Sequence, residues 1–203
     1  MQRSSKRESN YPRSVATYDN EHLKTISGSK DLGSNTFCRY FLMNQKEIEI
    51  EIISESVEQT LEIARLIGGK LRKGDVLALS GELGSGKTCF TGGLARGLGV
   101  DDKYQITSPT FTLINEYPAR CKLYHFDVYR LNSYSEFEDL GYEEYFYSDG
   151  VIVIEWAEKI VQILPAETIF IHFKYLDENR RNIMIKGSKS RMKELMDTKM
   201  EVG

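Results

Sequence analysis

The octapeptide Gly81-Glu82-Leu83-Gly84-Ser85-Gly86-Lys87-Thr88 constrains this chain more than any other feature, because the pattern G-x-x-x-x-G-K-[ST] works in only one structural setting. That setting is a strand, a tight loop and a helix. The flanks supply it: Val76-Leu77-Ala78-Leu79 is a wholly apolar run of the kind buried on both faces of a parallel sheet, and a helical stretch follows to Leu98-Gly99. Glycines free the backbone N–H groups to wrap a polyphosphate, and the helix N-terminus adds the positive end of its dipole. Lys87 then reaches the terminal phosphates, while the Thr88 hydroxyl can coordinate Mg²⁺. A dinucleotide fold is excluded, since Cys89 stands where the fingerprint begun by Gly84-x-Gly86 needs glycine.

A loop of this type also needs a carboxylate at the end of a neighbouring strand, to hold the metal or one of its water ligands. Two acids qualify. Val151-Ile152-Val153-Ile154-Glu155 is an apolar strand ending in an acid, and Asp127 closes Leu123-Tyr124-His125-Phe126. Both acids are expected at the carboxyl edge of the sheet, where α/β proteins bind ligands, though a solvated strand end is the bland reading of each. His125 shares a strand face with Asp127 and reads as a satisfied, partly buried histidine. Ser108-Pro109-Thr110-Phe111-Thr112 lies between the phosphate-loop helix and the next strand, a common place for a switch segment that senses the γ-phosphate. Its other reading is an ordinary turn entering a strand. Trp156, the single tryptophan, serves equally well as core, interface or nucleotide contact.

Around these motifs the pattern predicts one α/β domain over residues 43–187. Ile48, Ile50 and Ile52 alternate with glutamates, which predicts a half-exposed strand. Ser56 with Gln59 forms a capping box for a helix whose Val57, Leu61, Ala64 and Ile67 share a face and whose end is marked by Gly68-Gly69. Phe111 to Glu116 and Lys122 to Val128 read as a hairpin, Ser135 starts a helix to about Phe146, and Thr168 to Tyr175 and Asn182 to Ile185 read as further strands. Residues 1–42, rich in Ser, Arg and Asn without apolar periodicity, are expected to form a disordered extension. Met43 can equally serve as a start, and Glu8, Asp19, Glu21 and Asp31 do not suit a transit peptide. Residues 188–203 are expected to be a charged tail, with a peripheral helix over Ser190 to Glu201.

Composition narrows the function classes. With 27 Lys+Arg against 30 Asp+Glu the net charge is -3, so the chain has no basic footprint that would grip nucleic acid unaided. No run reaches the ~18 apolar residues of a membrane span, and the reading is a cytoplasmic protein. Cys38, Cys89 and Cys121 are odd in number and widely spaced, which suits neither disulfides nor zinc.

Taken together, G-E-L-G-S-G-K-T, S-P-T-F-T-L-I-N-E-Y, H-F-D-V-Y-R-L and I-E-W-A-E closely resemble the TsaE (YjeE) family in order and spacing, over about Glu47 to Ile185. These are bacterial ATPases required for threonylcarbamoyladenosine (t6A) at position 37 of tRNA. The resemblance implies a P-loop NTPase-like α/β fold, its central sheet largely parallel with antiparallel strands and flanked by helices. It implies that Leu83, Gly84, Ser85, Gly86, Lys87 and Thr88 bind ATP, that Thr88 and Glu155 hold Mg²⁺, and that Asp127 lies beside the phosphates. Glu158 would approach the nucleotide, and Thr110 would belong to the switch. Lys87, Thr110, Asp127 and Glu155 are thereby the candidate catalytic groups. The partners implied are TsaD-like and TsaB-like proteins; because the mildly acidic chain shows no nucleic-acid module of its own, tRNA is expected to be reached through them and hydrolysis to be slow without them.

Rival readings differ in what else they need. A small-molecule kinase uses the same loop and acids but needs an acceptor pocket and a lid, and no long Arg-rich lid is present. A GTPase lacks its N-K-x-D and D-x-x-G segments here. A scaffold that binds nucleotide without hydrolysing it differs only in turnover.

Overall fold

A computed structural model describes residues 37–42 and 46–196. Eight strands form one sheet in the order β1-β2-β8-β7-β3-β6-β5-β4. Its centre is parallel: β3 (Val76–Gly81) lies between β6 (Val151–Glu155) and β7 (Ile169–Tyr175), and β5 (Leu123–Asp127) runs parallel to β6. The flanks are antiparallel, with β4 (Ile114–Tyr117) on β5 at one edge and β8 (Arg181–Ser188), β2 (Glu47–Ser54) and β1 (Phe37–Leu42) at the other.

Helices α1 (Val57–Gly69), α2 (Lys87–Leu98) and α5 (Lys189–Met196) pack on one face, over Leu77, Leu79, Val153, Ile171 and Ile185. The opposite face of β3, β6 and β5 is covered by α3 (Tyr134–Glu138), α4 (Tyr142–Phe146) and two single-turn 3-10 segments, Ala157–Lys159 and Val161–Ile163. Both faces of the central strands are therefore dry, which explains why β3 and β6 are apolar without alternation. α1 and α2 lie so close that a Cβ on Gly97 would run into the Arg65 carbonyl, and one on Gly68 into the Leu94 carbonyl. Gly68 is thus a contact residue as much as a helix end.

Several sequence expectations need correction. Phe37–Leu42 belongs to the sheet rather than to an extension: it pairs with β2 along its whole length and satisfies backbone groups that would otherwise face water as a bare edge. The expected tail over residues 1–36 lies outside the described residues, as do residues 197–203. The C-terminal helix is docked, not peripheral. Arg191 makes a bidentate pair with Asp75, 2.5 and 3.0 Å, both side chains nearly buried, and Met192 and Leu195 join the core. In α1 the buried stripe is Thr60, Ile63, Ala64 and Ile67, while Val57 is exposed; Ser56 caps the helix as expected, accepting from the Gln59 N–H. The helix expected to run to Phe146 is broken at Gly141, whose φ of +66° ends one short helix and starts the next. Strand β4 begins only at Ile114, since the chain from Thr110 to Leu113 turns first.

Candidate active site

The phosphate loop leaves the carboxyl end of β3 and enters α2 directly. Gly84 and Gly86 adopt φ of +77° and +107°, conformations that residues with a Cβ rarely take, so the glycines are required by the path of the loop. Gly86 is the N-cap of α2 and offers no side-chain cap, which leaves the first N–H groups of the helix to an external acceptor. Leu83 at the loop tip is 80% exposed. Lys87 is folded back on the loop, its Nζ donating to the carbonyls of Gly81 (2.8 Å) and Glu82 (2.9 Å) and lying 3.9 Å from the centre of the Trp156 ring. Burial pushes its ammonium below the ordinary lysine range, and Glu155, Glu158 and Asp127 pull it back up.

Thr88 and Glu155 meet. The hydroxyl at the start of α2 donates to Glu155 Oε2 at 2.9 Å, and Glu155 Oε1 is 2.8 Å from His125 Nε2. Glu155 is not a solvated strand end, because its side chain is only 3% exposed. His125 is fully buried, deeper than the sequence suggests. Asp127, next to Glu155 across the sheet, accepts from Ser108 Oγ, from Thr110 Oγ1 (2.8 Å) and from the Tyr129 N–H (2.9 Å). The expected switch segment is thus tied to the second acid by two hydroxyls.

The two residues other than glycine with positive φ among those described, Leu113 (+64°) and Trp156 (+62°), flank this arrangement. Leu113 accepts from the Asp127 N–H, and Trp156 follows Glu155 directly. Strained backbone is retained where surrounding structure holds it, and such places cluster at functional sites. Glu158 lies beside Lys87 with one carboxylate oxygen buried and unpartnered; burial raises its carboxyl above the usual range, against the pull of Lys87 and Lys159.

Two clefts open nearby. One of about 340 Å³ runs along α2 from Thr88 and Cys89 to Tyr104 and Gln105; the other, about 380 Å³, opens beside the loop and is lined by Glu82, Trp156, Glu158, His172, Lys174 and Tyr175. Each has the volume of a small-ligand pocket. Sequence reasoning missed Arg181, which donates from Nε to the Ser85 carbonyl at 3.0 Å and stacks 4.7 Å over Tyr175, bracing the loop from β8. No local motif marks a residue that acts on a loop this far away in sequence.

The donor set suits Mg²⁺. Thr88 Oγ1 and Glu155 Oε2 are hard oxygens side by side at the mouth of the loop, and among the described residues no group of three or more His, Cys, Asp or Glu forms an all-protein metal cage. Mg²⁺ bound with a nucleotide needs only such a partial set, because phosphates and water complete its shell.

Fold and site together define an α/β protein in which a glycine-rich loop joins a central strand to a helix, with an acid-ended strand beside the loop strand. The model of the family described as threonylcarbamoyl adenosine biosynthesis protein TsaE matches residues 54–183, and the chain belongs to that family. Similar proteins include the tRNA threonylcarbamoyladenosine biosynthesis protein TsaE of Treponema pallidum, 44% identical over 133 residues that cover 66% of this chain and 97% of that one. The protein of the same name from Bacillus subtilis is 46% identical over 127 residues, 62% of this chain and 78% of that one. The crystal structure of Bacillus subtilis YdiB matches with a TM-score of 0.60 at 38% identity, covering 72% of this chain and 90% of that chain. Among the described residues, no helix is long and apolar enough to cross a membrane.

Proposed function

We propose that this chain is a cytoplasmic, Mg²⁺-dependent ATPase that drives a conformational cycle in the t6A modification of tRNA at position 37, acting with TsaD-like and TsaB-like proteins. The observation that carries the reading is the hydrogen bond from Thr88 to Glu155, which brings the loop hydroxyl and the acid strand end to one point. Membership of the TsaE family supplies the pathway.

In this reading the loop amides and the amino end of α2 bind the phosphates, and Lys87 exchanges the Gly81 and Glu82 carbonyls for phosphate oxygens. Thr88 and Glu155 would hold Mg²⁺, which neutralises charge on the phosphates. Asp127 and Thr110 face the same edge and orient the attacking water. Asp127 already accepts three hydrogen bonds, two of them from Ser108 and Thr110, so its Oδ2 has little capacity for water while that segment stays seated. Hydrolysis by the isolated chain is therefore slow, and a partner that reorders residues 108–112, so that Thr110 and Asp127 turn to a shared water instead of to each other, fixes that water. Positioning of this kind supplies much of the acceleration in phosphoryl transfer. The near balance of charge fits a protein that reaches tRNA through its partners.

The test measures phosphate release and modified tRNA per complex, with and without TsaD-like and TsaB-like proteins, for the wild type and Lys87→Ala. The expected result is slow release alone, a marked rise with partners, and no repeated rounds of modification with the variant. Release indifferent to the partners, or repeated rounds with Lys87→Ala, would overturn the coupling and leave a kinase or a scaffold as the better reading.

A further inference from the structure

We propose that His125 is a positioning residue for the metal-binding acid, its imidazole fixing the rotation of the Glu155 carboxylate that turns Oε2 toward Thr88. The inference rests on the Mg²⁺-nucleotide reading of the site and deepens it. Glu155 is held from both sides, by Thr88 Oγ1 on Oε2 at 2.9 Å and by His125 Nε2 on Oε1 at 2.8 Å. To ligate a cation Glu155 must act as a carboxylate, which only accepts hydrogen bonds, so on this reading Nε2 carries the hydrogen. The other nitrogen, Nδ1, is buried with no hydrogen-bond partner.

That combination is informative. A side chain present only to fill the core at this depth would do better as an apolar residue, since a buried nitrogen without a partner is unfavourable. The ring stands among such residues: Leu123 precedes it on the same strand face, and Val153 is its register partner on β6. What an imidazole adds there, and a leucine would not, is the bond to Glu155. Without it the carboxylate keeps one anchor, the Thr88 hydroxyl, which on this reading is itself a metal ligand. A carboxylate free to rotate then presents its oxygens less consistently to a cation. Outer partners that orient a metal ligand typically change metal affinity by about 10–100-fold when removed.

The experiment uses the full chain and a non-hydrolysable ATP analogue. It measures the Mg²⁺ concentration that half-saturates analogue binding in the wild type, His125→Phe, His125→Gln and Glu155→Gln, together with analogue affinity without metal. The expected result for His125→Phe is a rise in the Mg²⁺ requirement of about 10-fold or more with metal-free affinity unchanged, since Phe fills the space but cannot donate. His125→Gln, whose amide can donate to Oε1, should recover most of the difference. Two-bond ¹H–¹⁵N spectra of the wild type should show hydrogen on Nε2, a readout that stands even if His125→Phe does not fold. An unchanged Mg²⁺ requirement in folded His125→Phe and His125→Gln, or hydrogen on Nδ1 only, would overturn the proposal. An unchanged requirement in Glu155→Gln would instead overturn the assignment of the metal site.

Discussion

β6 reads Val-Ile-Val-Ile-Glu and is buried at every position, whereas β2 reads Glu-Ile-Glu-Ile-Glu-Ile-Ile-Ser and is fully buried only at alternate positions from Ile50 onward. Each ends or is interrupted by glutamate, yet the glutamates behave differently. Glu51 on β2 bonds Asn182 at the half-open surface of the antiparallel flank, and Glu47 pairs with Lys186 there. Glu155, at the end of a strand dry on both faces, is bonded on both oxygens. A carboxylate enclosed by a parallel centre must be paired, because an unpaired buried charge is strongly unfavourable; one on an alternating strand needs no particular partner. The acids beside the loop lie in the parallel centre, while the antiparallel flank extends the sheet and lends Arg181 of β8 to the loop.

Substitutions that respect this division should separate cleanly. The largest effect is expected at the joint between the two regions, where Arg191 of α5, packed on the antiparallel side, pairs with Asp75 at the start of β3. Arg191→Ala leaves Asp75 buried without a counter-charge and should cost about 3–5 kcal/mol of unfolding free energy, read by denaturant titration. A loss below ~1 kcal/mol would return α5 to the status of a surface appendage. Next comes Lys87→Ala in the centre, which should lower the rate of ATP hydrolysis by about 10²–10³-fold with the fold intact by circular dichroism. Glu51→Ala on the flank should leave that rate within about twofold and stability within about 0.5 kcal/mol. Equal losses of activity from these two would break the comparison.

A smaller effect depends on pH. Burial raises the Glu158 carboxyl in the folded state, so folding favours its protonated form. Its contribution to stability is present below the unfolded carboxylate pKa and is lost as pH rises through the folded value. Glu158→Gln should therefore be more stable than the wild type at neutral pH, with the advantage vanishing in acid. Denaturation midpoints across pH would check it, and an advantage independent of pH would show that titration is not its source.

The same contrast explains what the sequence could disclose. Central strands, phosphate loop and both acids were legible because each has a local signature: unbroken apolar runs, a fixed glycine spacing, an acid after an apolar strand. Phe37–Leu42 was not, since Phe-Cys-Arg-Tyr-Phe-Leu has β-favouring aromatics but no clean alternation, and only pairing with β2 makes it a strand. Contacts across the fold were equally silent. Arg181 reaches Ser85, and His125 reaches Glu155, through register and topology that no short window contains. The break at Gly141 and the close approach of α1 to α2 at Gly97 likewise depend on neighbours in space.

The central claim is that the edge of the parallel centre binds and turns over Mg²⁺-ATP. Its most direct test is phosphate release from labelled ATP by the full chain, over a Mg²⁺ titration and with its partners present, for the wild type and Glu155→Gln. The account requires several turnovers per chain that depend on Mg²⁺ in the wild type and are lost in the variant while folding and nucleotide binding persist. Release that ignores Mg²⁺, or that survives Glu155→Gln unchanged, would contradict it.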